Sequence, residues 1–211
     1  MARRTKEDAL ATRDLILDTA ELVFQRRGVS RTSLQEIALE AGLTRGAIYW
    51  HFQNKADVFH AMMERVTLPM EANFKTLPSA EQAHPLDLLR QNVAAVFHQT
   101  VHDPQMRRVF EIAKHKVEYV DELQALRERH IAQRSKCMND LDQLLAQAAE
   151  GGQINCKLPA SVAATGLHAL LDGLLHNWLL EPQAFDLELV GAQALEIYLA
   201  GLAGQGARST R

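Results

Sequence analysis

Arg45, Gly46, Tyr49 and His51 fall on one face of a short predicted helix, and that face carries no acid. Such a surface suits the major groove. An arginine bonds guanine O6 and N7, a glycine lets backbone approach the bases, and a tyrosine meets a thymine methyl or donates to a phosphate. Thr44, His51 and Lys55 stand at helix ends, where side chains and unpaired N–H groups hold phosphates. Thr32 and Ser33 take the equivalent place at the start of the preceding helix. Trp50 reads either as part of this surface or as a core aromatic; Tyr49 has the same alternative, and Arg45 and Lys55 can be plain solvated charges. Arg3, Arg4 and Lys6 form a basic arm suited to backbone or minor-groove contacts.

A second constellation lies near position 170. His168, Asp172 and His176 recur at i, i+4 and i+8 on an apolar helix, where polar groups are costly unless satisfied. Three readings stay open: a ligand-bonding pocket wall with Leu171 and Leu175, an internal network, or metal ligation. His98 and His102 also share i, i+4 spacing. No third ligand is evident nearby in sequence, so they read as solvated, and no metal or cofactor is expected. Further pocket candidates are Met63, Val66, Met70, Phe97, Val101, Phe110, Lys114, Gln133, Cys137, Met138 and Leu141. Methionines and aromatics make adaptable walls, though core packing accounts for each equally well. An inward-facing Lys114 favours anionic or phenolic compounds.

Helices are the elements that position these residues. Ile16, Ala20, Val23 and Phe24 make a buried stripe over 8–27, which Gly28 ends in the place glycine favours. Ser33 with Glu36 has capping-box spacing before Leu34, Ile37 and Ala38. Gly42 breaks that second helix, and Thr44 caps a third over 45–51. The spacing Ala38–Gly42–Ile48 is that of a helix-turn-helix: a small residue at the crossing, a positive-φ turn, and an apolar plug. Asn54 caps a fourth helix to about residue 74. Helical patterns follow over 85–102, 104–117, 120–150, 159–180 and 185–203. The six prolines read as punctuation between helices. No strand pattern, hairpin signal or fixed-period repeat is present. The fold class is all-α: a three-helix unit over 1–54, then a helical ligand-binding and dimerisation domain over 55–211.

The last two helices carry the dimerisation expectation. Gly166, Ala169, Leu170 and Gly173 form a small-residue stripe that admits a close neighbour. Trp178 extends it, and the final helix offers Val190, Ala194, Ile197 and Tyr198. Two such helices per chain can build a four-helix interface, or simply pack within their own domain.

Composition narrows the class. The 211 residues are 47% hydrophobic, enough for a real core, and the net charge is -3. Residues 1–55 hold nine basic and seven acidic side chains, so DNA affinity depends on where the charges sit. Cys137 and Cys156 form no metal-binding pair and fit a reducing compartment. No signal peptide or membrane-length apolar run is evident, so a cytoplasmic protein is expected. Gly-rich phosphate loops, Gly-x-Ser-x-Gly and His-Glu-x-x-His are absent, which argues against an enzyme.

The segment from Thr44 through Arg45-Gly46-Ala47-Ile48-Tyr49-Trp50-His51-Phe52-Gln53-Asn54 to Lys55 resembles the signature of TetR-family repressors. Thr12-Arg13 and Gly28-Val29 fit as well. The opening Met1-Ala2-Arg3-Arg4-Thr5-Lys6-Glu7 is similar to the branch that represses multidrug efflux pumps. So are Arg107-Arg108, Glu111-Ile112, His115-Lys116, Asp172-Gly173-Leu174 and Asn177-Trp178-Leu179-Leu180. The resemblance implies a nine-helix, omega-shaped homodimer that binds a palindromic double-stranded DNA operator and is released by a small hydrophobic or aromatic inducer. It also implies that Phe110, Lys114, Cys137, His168, Asp172 and His176 line the pocket, with Phe110, Lys114 and His168 departing from the usual residues there. The alternatives are an effector-independent or architectural DNA-binding protein, and an enzyme with a helix-turn-helix appendage.

Overall fold

The computed structural model describes residues 6–75, 84–118, 124–155 and 158–204, with 70–75 and 125 described as backbone. Among them lie nine helices and no strand. They are α1 (Lys6–Arg27), α2 (Leu34–Glu40), α3 (Arg45–His51), α4 (Lys55–Lys75), α5 (Pro85–His102), α6 (Pro104–His115), α7 (Gln124–Glu150), α8 (Ala160–Leu180) and α9 (Leu187–Gly204).

Local chemistry sets most of the boundaries. Gly28 ends α1 at φ 83°, its N–H bonded to Phe24 O. Ser33 caps α2 with a complete capping box, its hydroxyl accepting from Glu36 N while Glu36 accepts from Ser33 N. Thr44 caps α3 by accepting from Ala47 N, and Asn54 caps α4 by accepting from Asp57 N at 2.9 Å. Gly152, at φ 71°, closes α7. α4 runs as the expected helix to about residue 74, so Pro69 lies inside it and the reading of every proline as punctuation between helices fails there. Proline lacks the N–H that would bond back along the helix, so it costs stability there. Pro69 is exposed, which leaves its ring free of core packing.

The chain forms two compact units: Met1–Pro69 with Arg108–His130, and Met70–Arg107 with Ile131–Arg211. These differ from a simple division at 54/55, because the start of α4 and the described residues between 108 and 130 group with the N-terminal helices. In the first unit, Ile16, Leu17, Ala20 and Phe24 of α1 are fully buried. Ile16, Leu17 and Phe24 each contribute roughly 1.5–3 kcal/mol by leaving water. Val29 N–H bonds Lys116 O at 2.9 Å, and Gln25 donates to Glu111 at 2.8 Å. Glu21 is 1% exposed among these apolar neighbours. Its carboxylate accepts from Arg65 and from Arg108, and Arg65 also pairs with Asp18 at 2.8 Å. Burial works against the Arg65 charge, but Glu21 and Asp18 outweigh it and hold its pKa above the ordinary value.

In the second unit, α9 packs on both α5 and α8. Gly191 is buried where a Cβ would run into the Phe97 ring of α5, so only glycine admits this approach. Arg90 donates to both carboxylate oxygens of Glu196, at 2.6 and 3.0 Å. Tyr198 donates to Ala163 O at 2.7 Å and lies over Gly166. Arg107 donates to Thr100 O and Val101 O and stacks 5.0 Å above Trp178. Among the described residues, α9 alone is long and apolar enough to cross a membrane, but Leu187, Gly191, Leu195, Leu199 and Leu202 bury its inner face within the unit.

Candidate nucleic-acid interface and ligand cavity

The reading surface comes from α2 and α3, which pack closely. Ala38 is 2% exposed and Ile48 is fully buried at their crossing. Between them Gly42 takes φ 66°, and Leu43 N–H bonds Ala38 O at 2.8 Å. Burying Ile48 turns the opposite side of α3 outward. Thr44, Arg45, Gly46, Tyr49 and Trp50 are all exposed, Trp50 at 72%. Trp50 is therefore a surface aromatic. The Arg45 guanidinium lies 5.4 Å over the Tyr49 ring, which keeps both at the same edge of the ridge. No Cβ-filling neighbour crowds Gly46, so backbone can come close to a partner.

The other expected DNA residues divide. His51 is half-buried and stands edge-on to Trp50 with ring centroids 4.5 Å apart. Lys55 donates to Ser30 O at 2.7 Å, which ties the start of α4 to the loop before α2. Ser33 is exposed but its hydroxyl serves the cap. Thr32 is a correction: it is 2% exposed and donates to Gly28 O at 2.8 Å, so its side chain serves the turn and not a surface. Arg3 and Arg4 lie outside the described residues.

The second unit holds a cavity of about 580 Å³. Phe97, Gln133, Cys137, Leu141, His168, Leu171, Asp172 and Leu175 line it, as the sequence suggests. Leu89, Asn92, Val93, Val96, Lys136, Asp140 and Leu144 join them unforeseen. Their signal was present: 89, 93 and 97 repeat every fourth residue on α5, and 137, 140, 141 and 144 share one face of α7. Asn92 Oδ1 is buried without a hydrogen-bond partner.

The remaining pocket candidates lie elsewhere. Met63, Val66, Phe110 and Lys114 belong to the first unit, where Val66 and Phe110 are buried in its packing. The lysine at the cavity is Lys136, because residues 108–115 of α6 pack beside α1. Val101 sits at the end of α5 held by Arg107, and Met138 is turned away from the lining face of α7. The side chain of Met70 is outside what the structure describes. On α8 the polar stripe splits: His168 and Asp172 line the cavity, and His176 is exposed on the far side.

That far side is apolar. Val162, Ala169 and Leu180 of α8 and Leu189, Ile197 and Ala200 of α9 are exposed, Ile197 at 74%, and nothing crowds Gly173. Leu170, Val190 and Ala194 are half-buried. Three of the expected interface residues are engaged within their own unit. Trp178 is 4% exposed beneath Arg107, and Gly166 and Tyr198 are spent on each other.

A tight α2–turn–α3 unit with an acid-free outer ridge, joined in one chain to a helical unit that encloses a cavity, defines a helix-turn-helix DNA-binding regulator with a sensing domain. Residues 16–62 match the pattern of the bacterial regulatory proteins of the tetR family, and residues 84–203 match the C-terminal region of MAATS-type transcriptional repressors. The chain belongs to the TetR family of transcriptional regulators. It is 40% identical over 210 residues to the regulator AcrR of Shigella flexneri, covering 94% of both chains. The crystal structure of NalD, the secondary repressor of the MexAB-OprM multidrug efflux pump in Pseudomonas aeruginosa, superposes with a TM-score of 0.84 at 36% identity, covering 95% of this chain and all of that one. The SmeT–triclosan complex gives 0.81 at 34% identity, covering 93% of each.

Proposed function

We propose that this chain is a cytoplasmic, homodimeric repressor of a multidrug efflux pump operon, released from its operator by a small aromatic or apolar compound. The cavity of the second unit carries the proposal, since an effector-independent DNA-binding protein has no use for one. Its walls are mainly Leu, Val and Phe, with polar groups at a few points. The unpartnered Asn92 Oδ1 suits a ligand hydroxyl or N–H donor, and Lys136 and His168 suit a phenol. Similarity to NalD, a pump repressor, and to SmeT in complex with triclosan supports both halves of the reading.

Arg45, Gly46, Tyr49 and Trp50 read the major groove, with Thr44, His51, Lys55 and the α2 N-terminus at the phosphates. The apolar face of α8 and α9 pairs two chains, so that two α3 ridges meet half-sites about one or more helical turns apart. Ligand binding favours a state in which the ridges no longer match that spacing, and operator affinity falls by the ligand's preference between the two states. No catalytic step is assigned.

The test is a mobility shift of the chain on its own upstream region while triclosan is titrated. Wild-type protein releases DNA. Val96→Trp, which fills the cavity, holds DNA with unchanged affinity and ignores triclosan. If calorimetry shows triclosan bound while the DNA complex stays intact, the induction reading is wrong.

A further inference from the structure

His98 and His102 lack a third ligand in sequence, but the fold supplies one from the far end of the chain. Glu188, in the first turn of α9, reaches both rings. His98 Nδ1 lies 2.7 Å from Glu188 Oε1, and His102 Nε2 lies 3.0 Å from Oε2. The two ring centroids are 4.3 Å apart, and one donor atom from each residue falls within 4.8 Å of the others. We propose that His98, His102 and Glu188 form a binding site for a divalent transition metal, Zn²⁺ by its chemistry.

Three arguments carry this. The first is geometric. Ligands at about 2.0–2.1 Å from a tetrahedral zinc sit roughly 3.4 Å apart. The three donors already converge near that spacing, and all three side chains are exposed enough to adjust by small rotations. Histidines four residues apart on one helix face are a spacing that chelates zinc. The second is chemical. Two imidazoles and one carboxylate suit zinc and its neighbours, whereas calcium and magnesium demand oxygen-rich shells. The third is mechanical. The Phe97–Gly191 contact and the Arg90–Glu196 ion pair already fix α5 against α9, so binding needs no new backbone arrangement.

The fourth position faces solvent and takes water. None of the three residues lines the cavity, so the site stands apart from the inducer reading. Loaded, it staples the end of α5 to α9 one residue from Phe97, a cavity wall. Unloaded, the same groups remain a hydrogen-bonded trio.

Full-length, tag-free protein, stripped with chelator, is titrated with ZnCl₂ by calorimetry at neutral pH. One equivalent binds per chain. His98→Ala/His102→Ala and, separately, Glu188→Gln weaken it by at least about tenfold, and His84→Ala does not. Zn²⁺ raises the wild-type melting midpoint and leaves that of Glu188→Gln unmoved. With Co²⁺, the visible spectrum shows nitrogen and oxygen ligation without a thiolate charge-transfer band, which separates the site from Cys137. Far-UV circular dichroism checks folding, and His102→Gln replaces the double variant if that one is not helical. Equal Zn²⁺ affinity in wild type and in the ligand variants, or no binding to wild type, overturns the proposal.

Discussion

Glu21 is the side chain whose placement the sequence conceals most fully. It neighbours the buried stripe of α1, yet a lone glutamate there reads as solvated. Its partners Arg65 and Arg108 stand 44 and 87 residues away, beyond any local pattern. Two cations compensate one buried anion, and truncation would leave them facing a hole. Glu21→Ala is expected to lose about 3 kcal/mol in urea unfolding, the low end for breaking a buried pair because both arginines keep some water. The His98–His102–Glu188 trio was hidden in the same way. The ridge of α3 was open to reading because its logic is contained within twelve consecutive residues.

Helices announce themselves where their ends are locally coded. Ser33, Thr44, Asn54, Gly28 and Gly152 each mark a boundary through a bond or a backbone angle made within four residues. Pro69 was misplaced because the rule that proline ends a helix is statistical, and an exposed ring can be carried at a cost. The caps also give the fold an acid-sensitive edge. The Ser33 backbone bond, then its hydroxyl and Arg27, hold Glu36 below its ordinary 4.5. A carboxyl depressed in the folded state contributes fully above that ordinary value, and its contribution is lost as pH falls through the folded one. Melting midpoints taken from about pH 5 down to about pH 3 should therefore fall less steeply in Glu36→Gln than in wild type. An equal slope would remove the α2 cap from the acid response.

At the scale of the molecule, the α3 ridge and the cavity are built from separate sets of residues. None of the α3 ridge residues lines the cavity, and no cavity residue belongs to the first unit. Arg45→Ala/Tyr49→Ala should then lower operator affinity at least about a hundredfold, since each good base contact is worth roughly 1–3 kcal/mol. Triclosan binding, measured by calorimetry on the same variant, should be unchanged. Loss of both would mean that the two surfaces are not separable. The presence of a helix-turn-helix unit ahead of a further helical domain was legible from sequence. The membership of residues 108–115 was not, because it depends on contacts with α1 that no periodicity encodes.

Gly191 never touches the cavity, yet it governs how wide the cavity is. Phe97 can lean toward α9 only because position 191 lacks a methyl group, so the calibre of the chamber is set from behind its wall. Gly191→Ala should cost about 1–3 kcal/mol by overpacking, regained in part by Phe97→Leu. The survivors of such swaps should prefer ligands of different girth. Position 191 thus gives a lineage a way to reshape the chamber from outside its lining, with Phe97 the one wall residue drawn into the change.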